Sequence, residues 1–513
     1  MQLKYDNKKV ITGINKSVNA VKVTAGPKGA TVIIEGVDCK PVVTKDGVSV
    51  AREITLTDKF ENMGAELIKE VAEKTAKATG DGTTSASILA QALIVAGIKN
   101  ITAGANATGI RNGINKGVKE LIKELKTNIS KPVKDLDAIA SISANDRELG
   151  KIVADTIRSI GQEGYVSYED GDEYGVKSEL IKGLVIDRGV ISPRMIMNAD
   201  KDNTVLDKPY VVITDHELTA AEEIYPILAK VQASGKKELL IIADDISGMA
   251  LAIANVQVMQ GILKIVAIKT PGYGADKKER LLDIATATKA SIISKDTGMK
   301  FEQAELKHLG QAGKVIANRH QTVIMEGIGK TAKRIKLLRE QIKGDKNNED
   351  LKKRLARLQN SVAILKVGAA TEQEAGEIMD RLEDAVCSSK AALDGGMVVG
   401  GGVALIRASK ALDRLKLTGD EATGLSILCE AITEPLKQIA RNADVDASIV
   451  YHTVVRDNVG YNAETGEYGD LISMGVIDAT KVVCSALENA ASTASLVLST
   501  KAVIVSDEEK TDE

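Results

Sequence analysis

Aromatic residues are almost absent from this sequence. Its 513 residues include no Trp and only two Phe, and aromatic side chains make up 2% of the chain. Any hydrophobic core must therefore be built from Ile, Val, Leu and Ala, within the 44% of the chain that is hydrophobic. The length is sufficient for about two to four domains and for a large core.

Paired cysteines are also lacking. The four cysteines, Cys39, Cys387, Cys429 and Cys484, stand alone and form no CxxC motif. The sequence therefore predicts neither a zinc site nor a disulfide scaffold, and favours reduced thiols in a reducing compartment.

Neither sign of charge dominates. The chain has 68 Lys and Arg against 71 Asp and Glu, a formal net charge of −3. This balance argues against nucleic acid or an anionic membrane as the main partner. The first residues contain no apolar signal core, and no apolar run approaches membrane-spanning length. We therefore expect a soluble cytoplasmic protein without a membrane partner.

Residues 79–85 read TGDGTTS and precede an apolar, small-residue segment at 87–94. A helix that starts here leaves backbone N–H groups unpaired, and these attract anions. Asp81 can hold a divalent cation, most simply Mg²⁺, against phosphate oxygens. The pattern favours a phosphate-and-metal site. An ordinary helix whose N-terminus is capped by Thr83 or Asp81 explains the same residues.

Hydrophobic periodicity predicts mainly helical blocks at both ends of the chain and an α/β region between them. In the first block, helices are predicted at 8–23, 60–77, 84–100 and 107–126, with a strand pair at 31–34 and 41–44. A further helical piece is predicted at 147–160. Residues 363–394 are predicted to be helical, and a mainly helical block follows from 395 to about 500.

The middle region alternates between apolar strands and helices, which predicts a parallel sheet covered by helices. The strands are predicted at 210–214, 239–243, 265–268 and 291–294, and the helices at 219–233, 246–260 and 277–289. A charged helical hairpin is predicted at 330–342 and 347–359, and a disordered acidic tail at 506–513. The two helical ends can be halves of one domain that is interrupted by an insertion.

Several separated motifs resemble the group I chaperonins, the GroEL type. They are TAGPKG at 24–29, TKDGVSVARE at 44–53, DKFENMGA at 58–65, GDGTT at 80–84, DRG at 187–189, KVGAATE at 366–372, EDA at 383–385, GGGVAL at 400–405 and YNA at 461–463. The resemblance covers essentially the whole chain in order, and it is that of a divergent or virus-encoded member.

This resemblance implies a multidomain α and α/β fold. An equatorial ATPase domain would comprise 1–127 and 395–513, and would be mainly helical and built from both chain ends. An intermediate hinge domain would comprise 128–181 and 363–394. An α/β apical domain that binds clients would comprise 182–362.

The resemblance also implies an ATPase that uses ATP, Mg²⁺ and K⁺. Asp384 would orient the attacking water with help from Asp46, Asp81 would hold Mg²⁺, and the carbonyls of Thr24 and Lys45 would hold K⁺. The implied ATP-binding residues are Thr24, Ala25, Gly26, Pro27, Lys45, Asp81, Gly82, Thr83, Thr84, Ser85, Gly401, Asn462, Ala463, Glu464 and Asp478. Taken singly, Asp384 also fits an ordinary surface carboxylate of a helix, and residues 45–47 fit a simple turn.

As partners, the resemblance implies unfolded or partly folded polypeptides, a homo-oligomeric ring of seven subunits in one or two layers, and a possible co-chaperonin lid. The implied client-binding residues are Val190, Arg194, Met195, Tyr225, Leu228, Leu251, Asn255 and Val256. Arg194 and Asn255 stand where the family has apolar side chains, which predicts a narrowed or altered client preference. The alternatives are a paralogue with narrowed or lost client folding, which acts as a binding ring, and a small-molecule kinase.

Overall fold

The computed structural model describes residues 2–4, 8–35, 41–162, 164–171, 173–198, 202–272, 274–344, 348, 351, 354–355, 357–358 and 361–505. The chain forms two compact units. The first contains residues 1–157, 170–177 and 367–513, and the second contains 158–169 and 178–366. The predicted division into three domains is finer than this and stays a prediction. Cys39, the acidic tail at 506–513 and most of the predicted helix 347–359 lie outside the described residues.

The α-helices of the described chain are α1 Lys8–Val21, α2 Gly47–Glu53, α3 Lys59–Thr79, α4 Thr83–Thr102, α5 Ala107–Glu124, α6 Leu136–Ala144, α7 Arg147–Ile160, α8 Ala221–Ala233, α9 Gly248–Met259, α10 Gly274–Thr288, α11 Ala332–Gly344, α12 Glu372–Gly395, α13 Val403–Ala408, α14 Gly419–Ala431, α15 Glu434–Asn442, α16 Ala447–Asp457 and α17 Thr480–Ser499. Most predicted α-helices that lie in the described chain agree with the observed ones within about three residues, whereas α2 and α6 were not predicted.

The strands are short, and most lie in the middle of the chain. They are β1 Gln2–Lys4, β2 Val32–Glu35, β3 Pro41–Thr44, β4 Val166–Asp170, β5 Gly175–Ile186, β6 Asn203–Asp207, β7 Tyr210–Thr214, β8 Glu217–Leu218, β9 Glu238–Ala243, β10 Asp245–Ile246, β11 Lys264–Lys269, β12 Ile292–Ile293, β13 Gly310–Gln311, β14 Lys314–Asn318, β15 Thr322–Met325, β16 Ser361–Gly368, β17 Met397–Val399, β18 Gly460–Asn462, β19 Glu467–Gly469, β20 Ile477–Ala479 and β21 Val503–Val505.

The first unit has one hydrophobic core to which both ends of the chain contribute. Ile14 and Leu93 from the N-terminal half and Leu436 and Leu487 from the C-terminal half are fully buried in the same cluster. At the edge of this unit, β1 pairs antiparallel with β21. The prediction that the two ends build one folded body is therefore confirmed.

Local polar groups set where the helices of this unit begin and end. Asp58 precedes α3 and accepts hydrogen bonds from the backbone N–H groups of Phe60 and Glu61, which have no partner within the helix. The same helix ends at Gly80, whose φ of 72° lies in the left-handed region that favours glycine. Gly80 thus turns the chain directly into the TGDGTTS stretch.

Two helices of this unit, α4 and α17, are long and apolar enough by length and composition to cross a membrane. The prediction that nothing in the chain approaches this length is therefore corrected. Both helices pack against each other and bury apolar side chains in the core of the first unit. Core helices of a folded domain pass the same criterion, so the finding is weak evidence for a membrane span.

The second unit contains the predicted parallel sheet, in the order β11-β9-β7-β12. The inner residues of its strands are apolar, and both faces of the sheet are covered. Val212 and Ile241 face one hydrophobic core, and their neighbours Val211 and Leu240 face another. Continuous apolar runs of this kind are typical of buried parallel strands.

A second sheet in this region, in the order β4-β16-β5-β15-β14-β6, was not predicted. It includes residues 361–368, so the prediction that 363–394 is entirely helical is wrong at its start. β16 lies inside the sheet, and residues 362–365 are all buried. A short run buried on both faces cannot be distinguished from a buried helix by its periodicity.

Candidate functional site

The start of α4 lies at the centre of the candidate site. Gly82, with φ 84°, occupies the N-cap position, and no side chain caps the helix. The first helical hydrogen bond of this turn runs from the N–H of Ala86 to the carbonyl of Gly82. The alternative in which Thr83 or Asp81 serves as the cap is therefore not supported, and the N–H groups of residues 83–85 point out of the helix end.

Two other segments lie against this helix start. The hydroxyl oxygens of Thr24 and Thr84 are 3.3 Å apart. Gly47, the first residue of α2, is so close that a Cβ atom there would lie 2.3 Å from the Thr84 hydroxyl. The predicted turn at 24–27, the KDG motif and the TGDGTTS stretch therefore form one site.

Lys45 joins the same group through its side chain. Its ammonium donates to the carbonyl of Pro27 at 3.5 Å. Loss of water lowers the pKa of Lys45, and the nearby Arg381 of α12 lowers it further. Helix α12 thus runs alongside the segment that follows β3.

Asp46, a predicted catalytic residue, also holds the start of α2. Its carboxylate accepts hydrogen bonds from the N–H groups of Val48 and Ser49, at 3.1 and 2.8 Å, and from the Ser49 hydroxyl at 2.8 Å. This capping fixes the orientation of the carboxylate in the site.

Asp81, the predicted magnesium ligand, lies in a network of short polar contacts. Its Oδ2 atom accepts hydrogen bonds from the hydroxyls of Ser143 at 2.9 Å and Ser388 at 2.5 Å. Its Oδ1 atom accepts from the N–H of Gly82. The carboxylate is therefore held in one orientation beside the start of α4.

Asp384 lies on α12, one turn before Ser388, whose hydroxyl donates to Asp81. Removal from water raises the pKa of Asp384 well above the ordinary value, and the negative charges of Asp81 and Asp46 raise it further. Asp380, one turn earlier, has its pKa raised to about 7 by burial and then by Asp46. A perturbed carboxyl among other polar groups is typical of a functional site, which favours the catalytic interpretation of Asp384 over the surface-carboxylate one, and its role stays a prediction.

The C-terminal part of the chain closes the other side of the site. The strand pair β17–β20 places Asp478 opposite Val398, and a Cβ atom on Gly400 would lie 3.1 Å from the Asp478 carboxylate. Burial raises the pKa of Asp478 to about 7, and the charge of Asp81 adds to the shift. Gly82 approaches Val482, two residues into α17. Residues from both chain ends therefore lie around the start of α4.

The remaining predicted residues lie beside this C-terminal wall. Gly401 has φ 64° and lies near the carbonyl of Tyr461. The buried Asn462 ends β18, and its side chain accepts a hydrogen bond from the N–H of Glu464 at 3.0 Å. Ala463, between them, is buried as well.

Several residues of the site were missed by sequence reasoning. The side-chain amide of Asn442 donates to the carbonyls of Lys22, Val23 and Ala25 at 2.9 to 3.2 Å, and so ties α15 to the turn at 24–27. Asp380, Ser143 and Ser388 were also missed. Partners so distant in sequence leave no local pattern, except that Asp380, Asp384 and Ser388 recur every fourth residue on α12.

The donor set agrees with Mg²⁺ that is held partly by phosphate. Among the described residues, no three His, Cys, Asp or Glu side chains lie close enough to hold a metal ion by themselves. Mg²⁺ usually takes only one or two carboxylates and completes its shell with waters and substrate phosphates. Asp81, which is held in one orientation, supplies a carboxylate. The uncapped N-terminus of α4 beside it can bind the phosphates that complete the shell of the metal.

The predicted client-binding residues lie in the second unit, on α8, α9 and the loop before them. Arg194 is exposed, and Tyr225 and Val256 are 62% and 46% exposed. Val190 and Leu251 are partly buried. These residues can contribute to a surface that a partner contacts.

The other three predicted client-binding residues are buried. Met195 has no exposed area, and Leu228 and Asn255 are 3% and 9% exposed. Leu228 belongs to the stripe of α8 that faces the core, together with Ile224 and Ile227. Their burial contradicts the prediction that these three lie on an exposed client-binding surface.

Two exposed methionines on α9 were not predicted. Met249 and Met259 are 61% and 67% exposed, and the Arg194 guanidinium lies 3.8 Å from the Met259 sulfur. Exposed apolar side chains that cluster on one face are typical of interaction surfaces.

Comparison with known proteins agrees with this fold. A sequence model of the TCP-1/cpn60 chaperonin family matches residues 18–508. The fold is similar to the crystal structure of the chaperonin gp146 from the bacteriophage EL 2 (Pseudomonas aeruginosa), determined in the presence of ATP-BeFx. The TM-score is 0.73 at 22% identity, over 98% of this chain and 98% of that one. The predicted resemblance and multidomain fold are therefore confirmed, and this chain belongs to the TCP-1/cpn60 chaperonin family.

Proposed function

We propose that this chain is a subunit of an ATP-driven chaperonin ring that acts on non-native polypeptides in the cytoplasm. The observation that carries the proposal lies in the first unit, where the uncapped start of α4, Asp81 and the helix of Asp384 come together. The chaperonin gp146, whose fold is similar, was crystallised in the presence of ATP-BeFx, which supports nucleotide as the ligand.

In this proposal, nucleotide phosphates lie at the start of α4. The N–H groups of Thr83, Thr84 and Ser85 and the hydroxyls of the two threonines bind the phosphate oxygens. The turn from Thr24 to Pro27 covers the phosphates from the other side. Asp81 holds Mg²⁺ against them, which neutralises charge during phosphoryl transfer.

Hydrolysis needs a positioned water more than covalent help from the protein. Asp384 orients and activates this water, and the fixed carboxylate of Asp46 assists. Because Asp384 lies on α12, far in sequence from the phosphate-binding residues, the site is complete only when this helix lies against it. Turnover is thereby coupled to the position of α12.

The nucleoside part of ATP lies against the C-terminal wall. Gly401 and the hairpin at 462–464 surround the ribose and base together with Asp478, which lies on β20. The carbonyls of Thr24 and Lys45 hold K⁺. The contact between Lys45 and Pro27 supports the closeness of these two segments.

The direct test is ATP hydrolysis by the purified full-length chain with and without Mg²⁺ and K⁺. We expect turnover that requires Mg²⁺ and increases with K⁺, and ring particles of seven subunits in electron micrographs. Absence of nucleotide binding, or turnover of a small-molecule substrate without rings, would contradict the proposal.

Client capture is proposed for the exposed face of α8 and α9 in the second unit, with or without a co-chaperonin lid. Tyr225, Met249, Val256 and Met259 supply apolar area, and Arg194 places a charge beside it. This charge favours the second candidate, a ring with narrowed or lost client folding. To separate the two candidate functions, we would measure how well the nucleotide-free form captures several unfolded proteins. The unaltered chain is compared with Arg194→Leu. Broad capture that Arg194→Leu does not increase would remove the second candidate.

A further inference from the structure

The two hydroxyls that bind Asp81 come from different parts of the chain. Ser143 lies in the last turn of α6, and Ser388 lies on α12. Both donate to the same Oδ2 atom, at 2.9 and 2.5 Å. The proposed metal ligand is therefore held by two helices other than the turn that carries it.

These hydrogen bonds leave a defined position for a cation. A carboxylate offers about four lone pairs. The two serine hydroxyls use those of Oδ2, and the N–H of Gly82 uses one on Oδ1. The remaining lone pair belongs to Oδ1, so the hydroxyls select which oxygen of Asp81 is available to Mg²⁺.

Ser388 also connects Asp81 with the proposed water-orienting residue. Asp384 and Ser388 are four residues apart on α12 and therefore lie on the same face of the helix. The Ser388 side chain is 3% exposed, so its hydrogen bond is shielded from water. The hydrogen bond from Ser388 to Asp81 therefore also holds the helix face that carries Asp384 close to the Asp81 carboxylate.

We infer that Ser388 and Ser143 are positioning residues that orient Asp81 for Mg²⁺ and tie the metal site to the helix of Asp384. This inference rests on the proposed ATPase function. Partners that orient a metal ligand usually change metal affinity by about 10- to 100-fold when they are removed.

The test compares Ser388→Ala with Ser389→Ala in the full-length chain. Ser389 is its sequence neighbour and is fully buried, but among the described residues its hydroxyl has no hydrogen-bond partner. The measured quantity is the ratio of ADP affinity with Mg²⁺ to ADP affinity in EDTA. We expect Ser388→Ala to lower this ratio about tenfold, with the affinity in EDTA unchanged, and Ser389→Ala to keep the ratio of the unaltered chain.

A second pair covers the case in which Ser388→Ala does not fold. Ser143 is only partly buried. Ser143→Thr retains the hydroxyl, whereas Ser143→Ala removes it. We expect the alanine variant to lower the ratio and the threonine variant to restore it. Equal ratios in either pair, with normal ADP binding by the unaltered chain, would overturn this inference alone. An unaltered chain that binds no ADP would overturn the ATPase proposal as well.

Discussion

The two units differ in how far their functional residues follow from the sequence. In the first unit, several residues of the predicted nucleotide site lie together around the start of α4, although they come from both ends of the chain. In the second unit, three of the eight predicted client-binding residues are buried, and two exposed methionines were missed. A site made by backbone turns is easier to predict than a surface made by side chains.

The physical reason is that the glycine motifs of the first unit specify backbone geometry, whereas the sequence of α9 in the second unit does not specify its exposed face. Gly82 has a φ of 84°, which favours glycine, and a Cβ atom on Gly47 would lie 2.3 Å from the Thr84 hydroxyl. Glycine at these two positions therefore reflects the geometry of the site. Helix α9 is apolar on almost every side, and its composition does not reveal which face is buried. Asn255, one of its two polar residues, is buried, while Val256 and Met259 are exposed. The exposed face follows only from the packing of the helix.

The largest effect is expected from Asp384→Asn. Loss of the group that orients water should lower ATP turnover about 100-fold or more, while nucleotide binding is retained. The control is Asp394→Asn near the end of the same helix, where the carboxylate pairs with Lys481 at 3.0 Å. Steady-state turnover and ADP titration check both variants. Normal turnover in Asp384→Asn would contradict the assignment of this residue.

Gly47→Ala should have the next largest effect. A Cβ atom at this position would lie 2.3 Å from the Thr84 hydroxyl, so the start of α4 must shift. We expect turnover to fall by about 10- to 100-fold, because small misplacements of reacting groups are costly. Gly376→Ala on α12 is the control, since a Cβ atom there meets nothing within 4 Å. Equal turnover of the two variants would show that the close approach of Gly47 is unimportant.

On the second unit, the double change Val256→Ser with Met259→Ser should weaken capture of an unfolded protein about fivefold, because exposed apolar area is lost. The matched control is Leu337→Ser on α11, which is 44% exposed in the same unit. Suppression of aggregation of a denatured protein by the nucleotide-free form measures this. Equal capture by both variants would mean that clients bind elsewhere.

The smallest effect is expected from Asp380→Asn. Burial raises the pKa of Asp380 to about 7, so the folded state binds a proton that the unfolded state releases at lower pH. The cost of ionising the partly buried Asp380 carboxyl lowers the free energy of unfolding. This cost is absent at about pH 4 and grows as the pH rises to about 7. Because the group is only partly buried, we expect Asp380→Asn to stabilise the nucleotide-free protein by about 1 kcal/mol at pH 8.

Urea unfolding of this variant and of the unaltered chain, at pH 8 and pH 4.5, measures the difference. A stabilisation of the same size at both pH values would mean that ionisation of Asp380 is not its cause.

Most of the regular structure was predictable, and the exceptions have physical causes. Most helices of the first unit, though not α2 and α6, and the parallel sheet follow from periodicity and from apolar runs bounded by turns. The second sheet was missed because residues 362–365 of β16 are apolar without alternation. Asn442 and Ser388 were missed because their partners are distant in sequence. Long-range hydrogen bonds depend on the completed fold, and no local sequence pattern predicts them.

The central claim is that both chain ends form one nucleotide site, completed by Asp384. The most direct measurement is an electron cryomicroscopy map of the protein with Mg²⁺ and a non-hydrolysable ATP analogue. We predict density for the phosphates at the start of α4, for the base beside residues 462–464, and for the Asp384 side chain facing the terminal phosphate. Nucleotide density elsewhere, or an analogue that contacts residues of only one chain end, would contradict this claim.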